Sequence, residues 1–525
     1  MQPTPPAVAA PAPPAPPSEG TDGSKDTPHR TRFIRLLDGC KDTPPPLARL
    51  ETDECPPELP PGTRFIRLLW TDVAGLRRAR VVPASNWVPA GPPRWPGVAL
   101  AEVCLALQTL SDAPAWPADL PRPGAAILSP GTGARVVPLL GTCHAMVACD
   151  IVEPKERCDG RRGQPLATCP RSALTWAVRA LAADADLDAR VGFEVEFRLL
   201  VRGGGGGDPP PSRQAAPAAT GPAAYALAST LDAATPILDA IAAGLEFAGI
   251  DLLQYHGESG TGAFEVVTGP ARPVAAVDNL LYTRQIIATV AAGAGYDVTF
   301  APKPVAGEAG LGAHVHISVW RRGVCLTTPN DGQAGPGDNV GRWFLSGILN
   351  RMDGLLAITA GSPASFERMQ PGAWAGAHQR WAPEDKEAPL RYIPQTGAPR
   401  FEVKCLDATA NPYLAVAAIL AAGLRGVTAG EALGPPAAPL EAGGEVRDDL
   451  DGRPPPGARL PQTVEAALTA FRRTEVAEAL NHVIPAPLLE LTAAVRRADA
   501  AAAAQVAAGP GGPNALGAAF NRVYS

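Results

Sequence analysis

Glutamates and histidines recur in four short segments that alternate them with apolar residues: Val191–Phe197, Ala263–Val267, Ala313–Val319 and Arg400–Cys405. Strand side chains point to alternate faces with period two. Phe193, Val195 and Phe197 therefore share one face, and Glu194 and Glu196 share the other. Val315, Ile317 and Val319 oppose His314, His316 and Ser318. Phe401, Val403 and Cys405 oppose Glu402 and Lys404. A sheet whose apolar face covers a core would gather these charges on its other face. Carboxylates and imidazoles crowded there repel one another or stay hydrated unless a cation sits among them. The pattern points to a divalent-metal site. One such segment alone is an ordinary amphipathic strand; the four together carry the inference, since a solvated face more often bears Lys, Thr and Ser.

The elements that must hold these strands are also legible. The chain has 525 residues and 46% hydrophobic content, enough for a large core and more than one domain. Residues 1–60 are rich in Pro, Ala and charge and read as a disordered extension. Within them Thr31–Leu37 repeats as Thr63–Leu69, and only the second copy continues into a hairpin ending near Pro83. Residues 61–150 read as a small β-rich domain, and residues 165–525 as helices alternating with strands. Helices are expected over Arg171–Ala183, Ala233–Phe247, Val274–Ala292 and from Pro412 to Leu424, where Pro sits in the tolerated first turn. The Gly/Pro/Ala-rich stretch 202–224 reads as a surface insertion, lacking the Lys-Ser/Thr of a phosphate loop, and 425–460 as a second loop.

Bulk properties exclude several classes. A net charge of −6 argues against nucleic acid as a partner. No apolar run is long enough to suggest a membrane span, and no secretory signal is visible. Nine scattered cysteines without a Cys-x-x-Cys pair fit reduced thiols in a cytoplasmic setting. Cys143, His144 and Cys149 match no usual zinc spacing and read as a packed turn.

The order of motifs is specific. Phe193–Phe197 is followed by His256–Glu265, Phe300–Pro304, Gly310–His316, Arg400–Lys404 and Asp407–Leu414. This order resembles the glutamine synthetase family, type I lineage, over residues 61 to about 480. Trp374–Ala377 and Glu384–Arg391 are similar to its nodulin-type, glutamine-synthetase-like branch. The resemblance implies an α+β fold, in which a β-grasp-like N-terminal domain precedes a catalytic domain with a curved antiparallel sheet flanked by helices. It implies that ATP phosphorylates a carboxylate, glutamate by default, and that ammonia or another amine displaces the phosphate. Glu196, Glu258 and Glu265 would hold one Mg2+ or Mn2+, and Glu194, His314 and Glu402 a second. Mixed oxygen and nitrogen ligands suit these ions better than thiolate-seeking metals. His316 and Ser318 would contact the nucleotide. Arg368, Gly310 and Tyr225 would line the substrate, and Arg391 and Lys404 would serve the phosphoryl transfer. A ring-shaped homo-oligomer is the implied assembly.

Departures cluster at amine recognition. The family's acidic loop in the N-terminal domain is absent, with only Ser111-Asp112 nearby. The flap glutamate is replaced by Trp374, an Asn by Ala309, an Asn-Arg pair by Asp385-Lys386, and an Arg by Lys404, which cannot form a bidentate fork. This divergence leaves room for γ-glutamylation of a larger amine, or for a metal- and nucleotide-binding protein with a signalling or scaffolding role.

Overall fold

The alternation along Val191–Phe197 is realised inside a 14-residue strand, Asp188–Val201, within a nine-stranded sheet. The computed structural model describes residues 58–87, 97–154, 163–202, 224–327, 339–395, 399–437 and 457–525. The first TRFIRLL copy, the extension up to residue 57 and nearly all of the 202–224 insertion lie outside the described residues.

The first sheet contains β1 (Phe65–Thr71), β2 (Arg77–Pro83), β3 (Val98–Ala101), β4 (Ala125–Pro130), β5 (Val137–Pro138) and β6 (His144–Val152). Its order is β2-β1-β6-β4-β3, with β5 beside β6. The expected hairpin is present, pairing Phe65 with Pro83 and Thr71 with Arg77. The β1–β6 pair is parallel, as a β-grasp-like core requires.

The second sheet contains β7 (Asp188–Val201), β8 (Leu252–Gly257), β9 (Ala263–Thr268), β10 (Tyr296–Thr299), β11 (Val315–Arg321), β12 (Val324–Cys325), β13 (Trp381–Pro383), β14 (Leu390–Ile393) and β15 (Arg400–Val403). Its order is β13-β14-β15-β11-β7-β9-β8. All pairs are antiparallel except β13–β14. Phe193, Val195, Phe197, Val315, Ile317, Val319, Phe401 and Val403 are all buried, as the period-two reading requires.

The helices are α1 (Pro170–Ala185), α2 (Ala228–Phe247), α3 (Pro273–Gly293), α4 (Val340–Thr359), α5 (Pro363–Arg368), α6 (Pro412–Ala429), α7 (Val464–Phe471), α8 (Thr474–Asn481), α9 (Ala486–Ala508) and α10 (Gly512–Val523). α6 is the central one, packed on α1 and α4. Asn411 caps it by accepting from Leu414 N at 3.1 Å, and Pro412 fills the first turn. The helix runs to Ala429 and stops at left-handed Gly430, so the loop expected from 425 begins later; residues 438–456 lie outside the described set. No uninterrupted apolar run spans a bilayer, since Arg425 breaks the run of apolar residues in α6. α6 is long and apolar enough to cross a membrane by length and composition, but 78% of that span is buried inside the protein, the position of a core helix.

Asn411 also donates to Thr71 O at 3.3 Å and Asp72 O at 2.9 Å, and Asp499 of α9 accepts from Thr109 N and Oγ1 at 2.7 and 2.8 Å. These buried bonds fasten the loops of the first sheet to the helices around the second. Such contacts are costly to break because each partner is left desolvated.

Candidate active site

Cross-strand register builds the site. On the second sheet Arg391 of β14 lies opposite Glu402 of β15, and Glu402 opposite His316 of β11. Glu196 of β7 lies opposite Glu265 of β9, and Glu265 opposite His256 of β8. Glu194, two residues from Glu196 on the same face of β7, joins the two rows.

Around the first row, His314 Nδ1 lies 2.9 Å from Glu194 Oε2 and 3.3 Å from Glu402 Oε1. His316 Nε2 meets Glu194 Oε1 at 2.9 Å, and its Nδ1 accepts from Arg400 Nε at 3.2 Å. That donor fixes the His316 tautomer with its N–H on Nε2. Ligand atoms of Glu194, His316 and Glu402 all fall within 4.8 Å of one another. Burial pushes the Glu194 carboxyl up, but hydrogen bonds from His314 and His316 outweigh it and hold the carboxyl well below its ordinary value. For Glu402, 1% exposed, burial is likewise outweighed, chiefly by the Lys404 ammonium 3.0 Å away and by His314. Arg391 Nε stands 2.7 Å from Glu402 Oε2 as a close ion contact rather than an aligned hydrogen bond. Burial and Lys404 push the His314 imidazole down, yet its bonds to Glu194 and Glu402 raise it to about 9.

In the second row, ligand atoms of His256, Glu258 and Glu265 lie within 4.8 Å of one another. His256 Nε2 is 3.2 Å from Glu265 Oε1, and Nδ1 is 3.9 Å from Glu258 Oε1. Burial, opposed by His256 and reinforced by the charges of Glu194 and Glu196, raises Glu265 to about 7. Burial and Glu196 raise Glu258 as well. The bond to Glu265 raises His256 to about 9. Glu196 accepts from Gly312 N at 2.8 Å and lies 3.7 Å from His314 Nε2, so it spans the space between the clusters.

The metal-ligand candidates named from sequence meet on one face, with two additions. His314 Nδ1 faces both Glu194 and Glu402, and His316 reaches Glu194 through Nε2. His256, named above only as the start of the His256–Glu265 motif, joins the second cluster. Its signal was present: His256 and Glu258 are two positions apart, the spacing that gave Glu194 and Glu196 significance. Arg400, which orients His316, was also missed as a participant.

The remaining candidates are placed as follows. Lys404 Nζ donates to Glu402 Oε1 at 3.0 Å. Arg368 is buried and donates through Nη2 to Lys404 O at 3.0 Å and Leu406 O at 3.2 Å. A Cβ at Gly310 would fall 2.4 Å from Arg368 Cγ and 2.6 Å from Pro302 O, so glycine there serves the packing of Arg368 directly. Ser318 shares the His316 face of β11 and accepts from Trp320 Nε1 at 2.9 Å. Tyr225 packs against His256, ring centroids 5.3 Å apart. Trp374 is exposed, and Asp385 pairs with Arg380 at 2.6 Å. Asp112 is held at the surface by Arg78 at 3.1 Å. His482 pairs with Asp184 at 2.6 Å, away from any described cluster of three or more candidate ligands. Neither Cys143 nor Cys149 joins such a cluster among the described residues.

The donor set fits hard divalent cations: carboxylate oxygens with imidazole nitrogen, Glu258 and Glu265 raised by burial and then by neighbouring carboxylates, and a buried Glu402 Oε2 that makes no hydrogen bond. The profile of the glutamine synthetase catalytic domain matches residues 167–508. Over 453 residues the chain is 33% identical to the gamma-glutamylpolyamine synthetase GlnA3 of Streptomyces coelicolor, covering 84% of this chain and 90% of that protein. It is 29% identical to type-1 glutamine synthetase 1 of Dictyostelium discoideum over 72% of this chain and 76% of that one. A solved glutamine synthase homologue aligns with a TM-score of 0.68 at 26% identity, over 89% of this chain and all of its own.

Proposed function

On the premise that the chain belongs to the glutamine synthetase family, we propose that it is an ATP-dependent carboxylate–amine ligase forming an amide through an acyl phosphate. The observation that carries this reading is the pair of carboxylate–imidazole clusters on one sheet face, with Arg391 against Glu402. Glu194, His314 and Glu402 would hold one divalent cation, with His316 donating to Glu194; Glu196, Glu258 and Glu265, with His256 beside them, would hold the other. Bound there, Mg2+ or Mn2+ would neutralise phosphoryl oxygens of ATP and of the transferring group. Arg391 would steady the charge of that group, and Lys404 would keep Glu402 ionised and aimed. His316 and Ser318 would contact the nucleotide, and Arg368 with the Gly310 loop would shape the carboxylate subsite. Glutamate is the default carboxylate and ammonia the default amine.

One observation favours a larger amine. Two exposed rings stand beside the second cluster, Tyr225 against His256 and Trp374 against Tyr225. The relative named gamma-glutamylpolyamine synthetase supports the same direction. The reading also takes the protein as a cytoplasmic ring-shaped homo-oligomer, divided into 61–150 and 165–525. The deciding experiment is phosphate release with Mg2+, ATP and glutamate, first with ammonium and then with mono- and polyamines. Ammonium-dependent kcat/KM of about 10⁴ M⁻¹s⁻¹ or more would overturn the larger-amine reading, and no release with any amine would overturn the ligase.

A further inference from the structure

Tyr225, Trp374 and Lys386 meet at the edge of the carboxylate face. The two rings stand edge to face, centroids 6.5 Å apart. Lys386 Nζ lies 5.4 Å from the Tyr225 centroid and 5.2 Å from that of Trp374, within cation–π reach of both. The rings are 45% and 49% exposed, so neither serves the core. Trp374 has φ +54°, a left-handed conformation that is costly for a bulky residue. Its turn is fixed by Glu387, whose carboxylate accepts from Gly372 N at 3.3 Å and Trp374 N at 3.0 Å. A strained, pinned turn thus holds an indole in solvent around an alkylammonium ion.

We propose that the Tyr225–Trp374 pair binds the distal ammonium of a diamine or polyamine acceptor, and that Lys386 fills the place until such an amine displaces it. The acceptor role rests on the ligase reading above. An aromatic face favours a cation, whereas an attacking amine must be a free base. A nitrogen held between these rings keeps its proton and does not react. The pair therefore takes the far end of the acceptor, and its other amino group reaches past His256 to the carboxylates. That free amino group attacks the acyl-phosphate carbonyl. A C–N bond forms, the C–O bond to phosphate breaks, and the nitrogen's proton leaves with inorganic phosphate. Lys386 is itself a primary alkylammonium, so exchanging it for the acceptor leaves the charge at the rings unchanged and returns the lysine to water.

The test compares 1,4-diaminobutane with butylamine, which matches its chain but lacks the second cation, on the full-length protein. The wild type should prefer the diamine in kcat/KM, and Trp374→Leu should cut that preference about 2- to 30-fold, the range of one cation–π contact. Lys386→Met should lower the diamine KM with little change in kcat. An unchanged preference in Trp374→Leu, or a raised diamine KM in Lys386→Met, would overturn the proposal. Two further measurements separate it from the ligase reading. Hydroxylamine has no second cation, so hydroxamate formation from it, ATP, Mg2+ and glutamate reports the ligase alone. Calorimetric titration with 1,4-diaminobutane, without ATP, of wild type against Trp374→Leu reports the aromatic site whether or not the ligase works. Weaker diamine binding in Trp374→Leu without any hydroxamate formation would keep the site and sink the ligase. Hydroxamate formation with unaltered diamine binding in both variants would do the reverse.

Discussion

Loading the His256–Glu258–Glu265 cluster with Mg2+ should expel protons, and the number follows from the cluster's electrostatics. Glu265 titrates at about 7, so at pH 7 the metal-free carboxyl is roughly half protonated, and cation binding releases about half a proton. His256 titrates at about 9 and is cationic at pH 7; joining the ligand set costs it nearly one more. Glu265→Gln removes the first contribution. It also takes the charged partner from His256, whose imidazole then returns towards about 6.5 and yields only about a quarter of a proton at pH 7. Wild type minus variant should therefore be roughly one proton per protein, a difference from which the Glu194–His316–Glu402 cluster cancels. Calorimetry in two buffers of different ionisation enthalpy reads the count directly. The difference should stay near one proton from about pH 5 to 8, since the variant's histidine takes up its proton over the range in which Glu265 does, and vanish above about pH 10. The same shifts fix the pH dependence of stability. Both folded-state values are raised, so their stabilisation is complete below the unfolded values and is lost as pH climbs through about 7 for Glu265 and about 9 for His256. For the buried Glu265 this amounts to roughly 3 kcal/mol at one pKa unit per 1.36 kcal/mol. Mg2+ should restore what alkali removes. Equal proton release by wild type and Glu265→Gln, with both binding Mg2+ saturably, would refute this account of the cluster.

Further outcomes follow from single contacts. Arg391→Ala should lower kcat for ATP-dependent phosphate release by about 10²-fold or more while Mn2+ binding persists, and Arg391→Lys should rescue little of it, as measured by steady-state kinetics. Gly312→Ala would place a Cβ 2.5 Å from His314 Nε2 and 3.0 Å from Glu196 Oε1, and should weaken Mn2+ binding at a stability cost of about 1–3 kcal/mol; unchanged Mn2+ affinity would contradict it. Asn411→Ala removes a helix cap and two donors to the Thr71–Asp72 backbone, and should cost about 2–3 kcal/mol in denaturant unfolding, under 1 kcal/mol being the refuting result.

The strands were legible because one face of each is buried, which imposes the period-two pattern; Phe193, Phe401 and Ile317 could not change face without leaving the core. Helix ends were less so. The helix expected to end at Leu424 runs on to Ala429, and Gly426 lies inside it because α4 crosses there: a Cβ on it would fall 2.1 Å from Trp343 O and 2.7 Å from Gly347 Cα. The strand-borne carboxylates and histidines of the site were legible, whereas the second contacts of His256 and His316 were not. Period tells which residues share a face, whereas these contacts depend on register and on where Arg400 points. The Tyr225–Trp374–Lys386 group joins segments about 150 positions apart, and no local pattern announces it.

The carboxylate face draws its residues from strands spread between Glu194 and Glu402, about two hundred positions along the chain. On a ribosome adding about 5–20 residues per second, the first glutamates emerge about 10–40 s before Glu402. For the first part of that interval β7 lacks its β11 neighbour and the histidines, and until its end it lacks β15 with Arg400 and Glu402, and Lys404 just beyond it. A nascent chain should therefore hold no cation tightly until β15 docks. Metal capture becomes a late event in the protein's synthesis, and a ribosome-stalled fragment ending before β15 should lack the tight Mn2+ site of the finished chain.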